Sequence, residues 1–202
     1  MVGIIDYGVG NLFSLKSSFK YIGISAEIVS DEKTIAACDR LILPGVGAFG
    51  DAAAALVNTG LDKVVKRVAG EGVPLLGICL GMQLLFEKGY EFGEHNGLGL
   101  IPGKVVSIEP LVNGNKIPHI GWNGLIFNEN KGELYTRTAD NECVYFVHSF
   151  HAECPEDFIT AKTEYGSLIT ASVQNKNVYG AQYHPEKSGE AGLMILKSFS
   201  EV

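Results

Sequence analysis

The chain has 202 residues, of which 46% are hydrophobic and 19% charged, and its formal net charge at pH 7 is −7. This composition allows a buried core and excludes a largely disordered protein, and the negative charge disfavours nucleic acid as a partner. No apolar run reaches the roughly 20 residues of a membrane helix, and the N-terminus lacks the basic region of a signal peptide. We therefore expect a soluble, cytoplasmic protein with no membrane partner.

The first half of the chain predicts an alternation of short strands and helices. Strands are expected at 2–6, 26–29, 40–43 and 73–79, and helices at 12–22, 51–57, 61–69 and 82–88. The first helix shows helical spacing through Leu12, Leu15 and Phe19, and Gly23 marks its end. Continuous apolar strands separated by helices are typical of a buried parallel sheet with right-handed crossovers.

The pattern changes after Pro102. Strand-like segments follow at 104–109, 142–147, 158–162, 168–174 and 178–183, with a closing helix at 191–199. Their short, polar connections indicate antiparallel strands or a second sheet region. Because no repeat or linker divides the chain, we predict one α/β domain over residues 1–202. Its sheet should be mostly parallel, flanked by helices and extended by antiparallel strands.

The strongest local signal is GICLG at 77–81, between an apolar strand and a predicted helix. A reactive residue flanked by glycines at a strand-to-helix turn is the pattern of a nucleophile elbow. The glycines avoid clashes in the sharp turn, and the helix N-terminus favours the thiolate form of Cys79. The backbone N–H of Leu80 would point to where an oxyanion forms. The alternative is a buried, unreactive cysteine in a turn of small residues.

Neither a metal nor a cofactor is predicted. The other cysteines, Cys38, Cys143 and Cys154, form no CxxC pair and match no zinc signature, so we expect them to be packed and inert. A disulfide framework is not expected in a domain that can build its own core. The opening glycines begin like a dinucleotide-binding fingerprint, but Phe13 stands where the third glycine is required, which argues against NAD or FAD.

The second signal is HPE at 184–186, directly after the predicted strand at 178–183. A thiol nucleophile requires a general base, and the base requires a third group that sets its tautomer. His184 and Glu186, held by the proline between them, can supply both. Catalytic groups collect at the carboxyl ends of parallel strands, where Cys79 and His184 are both predicted. The alternative is a histidine in a surface loop.

The third signal is PGVG at 44–47, again just past a strand. A glycine-rich turn can present backbone N–H groups to an anion, and beside an elbow it could supply a second oxyanion donor. An ordinary turn is the alternative.

Two weaker signals involve histidine. His148 lies at the end of a predicted strand, where a fully hydrogen-bonded structural histidine is the alternative to a functional one. His119 and Trp122 lie in PHIGWN at 118–123, which could belong to the core or to an interface. A tryptophan in a glycine- and proline-rich loop favours the interface, with Trp122 as a binding anchor.

The order PGVG, GICLGMQ and HPE resembles the class I, or triad, glutamine amidotransferases, and the similarity covers the whole chain. Two further segments, IIDYGVGN at 4–11 and PHIGWN at 118–123, are similar to the glutaminase-subunit family of imidazole glycerol phosphate synthase. The resemblance implies a flavodoxin-like α/β fold and a role for three groups of residues. These are Cys79, His184 and Glu186 for catalysis; Val46, Gly47 and Leu80 for the oxyanion; and Gln83, Glu91, His148, Ser149 and Phe150 for glutamine.

The resemblance also implies a reaction and a partner. Glutamine would be hydrolysed through a thioester on Cys79, and the ammonia would pass to a cyclase subunit in a heterodimer. Two other classes stay open: a cysteine peptidase or other Cys–His hydrolase, and a non-catalytic flavodoxin-like binding module. Within the amidotransferases, the glutaminases of anthranilate and pyridoxal phosphate synthesis are the alternatives.

Overall fold

Fourteen β-strands and six α-helices follow one another in the computed structural model, which describes all 202 residues. The strands are β1 Val2–Ile5, β2 Ala26–Val29, β3 Arg40–Leu43, β4 Leu75–Ile78, β5 Phe86–Gly89, β6 His95–Asn96, β7 Ile101–Ser107, β8 His119–Gly124, β9 Ile126–Phe127, β10 Cys143–His148, β11 Phe150–Glu153, β12 Ile159–Tyr165, β13 Ser167–Asn175 and β14 Val178–Ala181. The helices are α1 Leu12–Tyr21, α2 Glu32–Ala36, α3 Phe49–Thr59, α4 Leu61–Gly70, α5 Leu80–Leu84 and α6 Gly189–Phe199. Short 3₁₀ turns cover Glu109–Leu111, Glu133–Tyr135, Glu156–Phe158 and Pro185–Lys187. None of the helices has both the length and the apolar character needed to cross a membrane.

The central sheet has eight strands in the order β2-β1-β3-β4-β14-β13-β12-β9. The first five are parallel, and the last three extend the sheet as antiparallel strands. The predicted fold class is therefore confirmed. Parallel strands end at one edge of the sheet, so Pro44, Cys79 and His184, which follow β3, β4 and β14, come to the same edge.

Apolar side chains cover both faces of the parallel strands. Leu41 and Leu43 belong to a core cluster of 28 buried residues, whereas Ile42 between them belongs to a second cluster of 22. Since successive side chains of a strand point to opposite faces, the two clusters lie on the two sides of the sheet. Helices α3 and α4 pack into the larger cluster, and α1 and α6 into the smaller. Burial on both faces requires continuously apolar strands, which is why the sequence reveals them.

The predicted helix at 82–88 is wrong. Helix α5 has five residues, and the chain enters β5 at Phe86. Strand β5 belongs to a second sheet of four strands in the order β11-β7-β5-β6. Its last residue, Gly89, lies so close to the Phe49 ring that a Cβ would be 2.5 Å from it. The pairing with β7 and this contact with α3 arise only on folding, and they override the local helical pattern.

The PHIGWN segment contributes one strand, β8, to an antiparallel pair beside the edge of the central sheet. Strand β8 pairs with β10, and His119 lies directly opposite His148 in the register. The Tyr145 carbonyl accepts a hydrogen bond from the His184 N–H at 2.9 Å. This bond fixes the strand pair against the segment that follows β14.

Candidate active site

Cys79 lies alone between β4 and α5, with φ 55° and ψ −113°. A positive φ is uncommon for a residue with a side chain and costs of the order of 1–3 kcal/mol. The Cys79 N–H donates to the Ala181 carbonyl at 2.7 Å, and the Cys79 carbonyl accepts from the Gln83 N–H at 3.2 Å. These bonds hold the strained conformation, so the strand–turn–helix geometry predicted for GICLG is present.

Glycines allow the neighbouring backbone to approach this turn. A Cβ at Gly81 would lie 1.8 Å from the Leu43 carbonyl oxygen, and one at Gly77 would lie 2.6 Å from the Gly81 carbonyl oxygen. A Cβ at Gly45 would lie 2.7 Å from the Gly81 nitrogen. The turn of residues 44–47 therefore packs directly against the elbow, at a distance that only glycine permits.

Unpaired backbone donors come from both segments. Val46 and Gly47 lie outside any helix or strand, and their N–H groups donate to no backbone carbonyl. Leu80 is the first residue of α5, so its N–H has no acceptor in its own helix. All three residues line one cavity. This arrangement is compatible with the predicted oxyanion site, and the role of the three N–H groups stays a prediction.

His184 and Glu186 form a buried pair. His184 Nδ1 is 2.8 Å from Glu186 Oε1, and the two side chains are 4% and 1% exposed. The 3₁₀ turn Pro185–Lys187 brings the carboxylate back towards the imidazole. Asn11 Nδ2 donates to the same carboxylate oxygen at 3.4 Å. With Nδ1 directed at Glu186, Nε2 is left for the thiol, as a base–orienter pair requires.

The surroundings of His184 favour its protonated form. Burial by itself would lower the pKa of His184, but the hydrogen bonds and charges of Cys79 and Glu186 outweigh it and raise the pKa to about 9. These contacts therefore favour the imidazolium form of His184 near neutral pH. An imidazolium beside a cysteine stabilises the thiolate, which is the nucleophilic form.

A cavity of about 370 Å³ opens at this edge of the sheet. This volume lies within the range of small-molecule sites. Glu186 lies behind His184, and Trp122 lies outside the cavity. The predicted site residues in its lining are Val46, Gly47, Cys79, Leu80, Gln83, Glu91, His148, Ser149, Phe150 and His184.

Two polar side chains of the lining are held by hydrogen bonds. Glu91 Oε2 accepts from the Phe49 N–H at 2.7 Å, at the N-terminus of α3, which leaves Oε1 for a cationic group in the cavity. Gln83 Nε2 donates to the Phe150 carbonyl at 3.0 Å and to Gln182 Oε1 at 3.1 Å. Both amide hydrogens are used, so only Gln83 Oε1 is available to a ligand.

The imidazole of His148 is occupied inside the protein. Its Nδ1 is 2.8 Å from the Phe150 carbonyl oxygen, and its Nε2 is 3.0 Å from His119 Nδ1. Burial lowers the pKa of His148 to about 3, so the ring is neutral. The side chain is thus a hydrogen-bonded histidine at a sheet end, and residues 148–150 line the cavity.

Comparison with known proteins identifies the family. The sequence profile of the family described as "Glutamine amidotransferase class-I" matches residues 3–201. The chain belongs to this family. It is 50% identical over 203 residues to the imidazole glycerol phosphate synthase subunit HisH of Caldanaerobacter subterraneus subsp. tengcongensis, covering 100% of this chain and 98% of the relative. It is 47% identical over 202 residues to the HisH subunit of Methanothermobacter thermautotrophicus, with the same coverage. Within the amidotransferases, the chain is therefore a member of the HisH family.

Solved structures agree on the fold. A crystal structure of a glutamine amidotransferase superimposes with a TM-score of 0.75 at 20% identity, covering 98% of each chain. A chain of the PurLQS structure from Thermotoga maritima gives 0.78 at 20% identity, covering 99% of this chain and 97% of the other. At these identities the likeness shows a shared class I amidotransferase fold only.

In this HisH family member, Trp122 lies on the surface, not in the core. Its side chain is 55% exposed, and Ile120, two residues earlier on β8, is 57% exposed. The Trp122 ring contacts the Tyr145 ring edge-on at 6.0 Å, and Lys187 Nζ lies 5.8 Å from the Tyr145 ring centre. Lys187 also lines the cavity, so the exposed face adjoins its rim. The interface role of Trp122 stays a prediction.

Sequence reasoning missed three side chains at the site. Asn11 bonds to Glu186, Gln182 contacts Cys79, and Lys187 lies at the cavity rim. Asn11 and Lys187 adjoin motifs that were recognisable, so proximity to a motif is the signal that could have found them. Gln182 lies two residues before HPE in an apolar strand pattern, where a polar residue that is fully buried is the available signal.

The remaining cysteines differ from one another. All four cysteines are free, and Cys38 is buried, as expected. Burial raises the pKa of the Cys38 thiol and raises that of Cys154 to about 11, so both are poor nucleophiles at neutral pH. Cys143 is exposed, which corrects the expectation that all three are packed. It starts β10 at the end away from His148, where its side chain faces solvent.

Proposed function

We propose that this chain is the glutaminase subunit of imidazole glycerol phosphate synthase, hydrolysing glutamine to glutamate and ammonia for histidine biosynthesis. The observation that carries the proposal is the cavity that joins Cys79 and His184 to the 44–47 turn in a HisH family member. We also propose that residues 1–202 form a single domain and that the protein works in the cytoplasm.

Glutamine binds with its side-chain amide over Cys79. Its α-ammonium group pairs with the free oxygen of Glu91, because that carboxylate is already oriented by the Phe49 N–H. Gln83 Oε1 accepts a hydrogen bond from glutamine, since the other end of the Gln83 amide is occupied. Residues 148–150 also line the cavity and are placed to contact the bound glutamine.

The first half-reaction forms the thioester. The Cys79 thiolate attacks the amide carbon, and the carbonyl electrons move onto oxygen, where the N–H groups of Leu80, Val46 and Gly47 stabilise the charge. A single donor of this kind contributes about 3 kcal/mol to lowering the barrier. The His184 imidazolium then protonates the departing nitrogen, which leaves as ammonia. The glutamyl group stays on sulfur.

The second half-reaction releases glutamate. His184, now neutral, removes a proton from water as the water attacks the thioester carbon. The thiolate leaves and is again paired with the imidazolium. Glu186 holds the imidazole through both steps, because its carboxylate stabilises the charge that His184 gains.

The ammonia has to reach a second active site before it is protonated in water. We propose a cyclase subunit as the partner, in a heterodimer that includes the face defined by Ile120 and Trp122. Two exposed apolar side chains beside the cavity rim support this location. The relatives are named as subunits of imidazole glycerol phosphate synthase, which supports a partner of this kind.

Glutamate release by the purified full chain, alone and with the cyclase and its nucleotide ligand, tests the proposal. We expect slow turnover alone and a higher kcat in the complex, with Cys79→Ser as the inactive control. Casein should not be cleaved. Full-speed hydrolysis without a partner would indicate a free-standing hydrolase, and no hydrolysis in the complex would refute the assignment.

A further inference from the structure

Gln182 is a buried polar residue that the mechanism above does not use. Its side chain is fully buried between β14 and His184. Its Nε2 lies 3.9 Å from Cys79 Sγ, and its Oε1 lies 3.1 Å from Gln83 Nε2. Buried polar side chains are normally hydrogen-bonded, so the partners of this amide define what it can do.

The orientation of the Gln182 amide follows from its neighbours. The Phe150 carbonyl can only accept, so the Gln83 atom that faces it at 3.0 Å has to be the nitrogen. The second hydrogen of that nitrogen points at Gln182, so the facing atom of Gln182 has to be its oxygen. The nitrogen of Gln182 therefore faces Cys79 Sγ.

Besides His184, the sulfur has two different polar neighbours. The Val147 carbonyl oxygen, at 3.9 Å, can accept a hydrogen bond from the neutral thiol but repels a thiolate. The Gln182 N–H, also at 3.9 Å, can donate to a thiolate. A donor on the negatively charged form is the stronger of these two interactions, because hydrogen bonds to charged groups are stronger than neutral ones.

We propose that Gln182 is a further catalytic residue: its side-chain N–H donates to the Cys79 thiolate and stabilises the nucleophile. Gln83 and the Phe150 carbonyl keep that N–H directed at sulfur. The His148 ring in turn holds the Phe150 carbonyl, at 2.8 Å. The catalytic role rests on the proposed function, whereas the hydrogen bond to sulfur does not.

The variant Gln182→Met tests the bond, because it keeps the side-chain length and removes the donor. Alkylation of Cys79 by iodoacetamide in the full chain, followed by mass spectrometry of the peptide that contains Cys79, requires no glutamine. We expect the pH of half-maximal alkylation to rise by roughly one pH unit, the scale of a hydrogen bond to a charged acceptor. A drop in kcat for glutamine with little change in KM should accompany it. Gln174→Met is the control, because the Gln174 amide bonds only to Glu133 and the Lys176 carbonyl, away from the cavity.

A second measurement does not depend on the variant and serves if Gln182→Met folds poorly. In the unsubstituted chain, the Gln182 side-chain N–H resonance should move upfield when Cys79 is alkylated, since the acceptor is then lost, while the Gln174 resonance stays in place. An unchanged alkylation profile in a folded Gln182→Met variant, or an unmoved Gln182 resonance, would overturn the proposal. If alkylation shifts as expected but no form of the protein hydrolyses glutamine, the proposed function fails and the hydrogen bond stands.

Discussion

The cavity has two walls that are built in different ways. One wall is backbone: the elbow packs so closely against the end of β3 and the turn of residues 44–47 that a Cβ at Gly81 would lie 1.8 Å from the Leu43 carbonyl oxygen. The other wall consists of side chains held by two hydrogen-bonded pairs: His184 is held by Glu186 behind it, and Gln83 by the buried Gln182. Substitution of a glycine in the backbone wall should abolish folding or activity, because no side-chain rotamer can relieve a clash with backbone atoms. In the side-chain wall, removal of one hydrogen bond should instead reduce activity partially, by an amount that depends on the bond that is lost.

The largest effect is expected for Gly81→Ala. The new methyl group would overlap the Leu43 carbonyl oxygen, so β3 or α5 has to move. We expect loss of soluble, folded protein or of all activity, measured by expression, circular dichroism and glutamate release. Gly70→Ala is the matched control, since nothing lies within 4 Å of its Cβ position at the end of α4. It should be neutral or stabilise the fold by up to about 1 kcal/mol. A normally folded, active Gly81→Ala variant would refute the close packing of the backbone wall.

Cys79→Ser should abolish glutamine hydrolysis while leaving the melting temperature nearly unchanged. A hydroxyl fits the space of the thiol but is a far weaker nucleophile at neutral pH. Cys38→Ala, Cys143→Ala and Cys154→Ala serve as controls in the same glutamate assay and should retain turnover. If one of the controls eliminates activity and Cys79→Ser does not, the nucleophile is misassigned.

Within the side-chain wall, His184→Ala should reduce kcat more than Glu186→Gln. In the proposed mechanism the imidazole transfers the proton, whereas the carboxylate sets its tautomer and stabilises its charge. Glu186→Gln keeps the shape beside Asn11 and removes only the charge, so we expect an intermediate loss of kcat. Steady-state kinetics of the complex measure both. A silent Glu186→Gln variant would mean that the backbone alone positions His184.

The raised pKa of His184 predicts a specific pH dependence. In the proposed mechanism ammonia leaves only if the His184 imidazole is protonated, so kcat/KM should fall as the pH rises through about 9. Binding of the same proton also stabilises the fold, because the pKa of His184 is about 9 in the folded protein and 6.5 for a free histidine. Its contribution to the free energy of unfolding is complete below about pH 6.5 and is lost as the pH rises through 9. Urea unfolding across this pH range measures that free energy. In the His184→Ala variant the free energy of unfolding should decline less between pH 6.5 and 9 than in the unsubstituted protein. An equal decline in both proteins would contradict the shifted pKa.

The smallest effect on chemistry is expected for Trp122→Ala. The side chain lies outside the cavity and is 55% exposed, so its loss should spare iodoacetamide labelling of Cys79 and the melting temperature. It should weaken stimulation of kcat by the cyclase, because a half-exposed tryptophan is a suitable binding anchor. Leu168→Ala is a control for exposure, since Leu168 is also 55% exposed but lies on β13. Equal stimulation of Trp122→Ala and unsubstituted protein would place the interface elsewhere.

The sequence by itself predicts most of the backbone wall. Strands at 26–29 and 40–43 are found where they are predicted, and the elbow follows β4 as GICLG requires. These features are readable because they depend on local properties: apolar runs, helical spacing and glycines where the backbone turns sharply. The parallel orientation of β1 to β4 follows from the same alternation, and with it the meeting of 44–47 and Cys79 at one edge; the HPE motif directly after a predicted strand indicates the same edge for His184.

The tertiary structure decides the rest. β5 replaces the predicted helix because Phe86 and Gly89 pair with a strand that is formed later in the chain. Gln83 and Gln182 are 99 residues apart, and no local pattern brings their amides together or directs one of them at the Cys79 sulfur. His119 and His148 meet only through the register of β8 and β10. Hydrogen bonds between distant side chains depend on strand order and register, which single-residue propensities and short motifs do not encode.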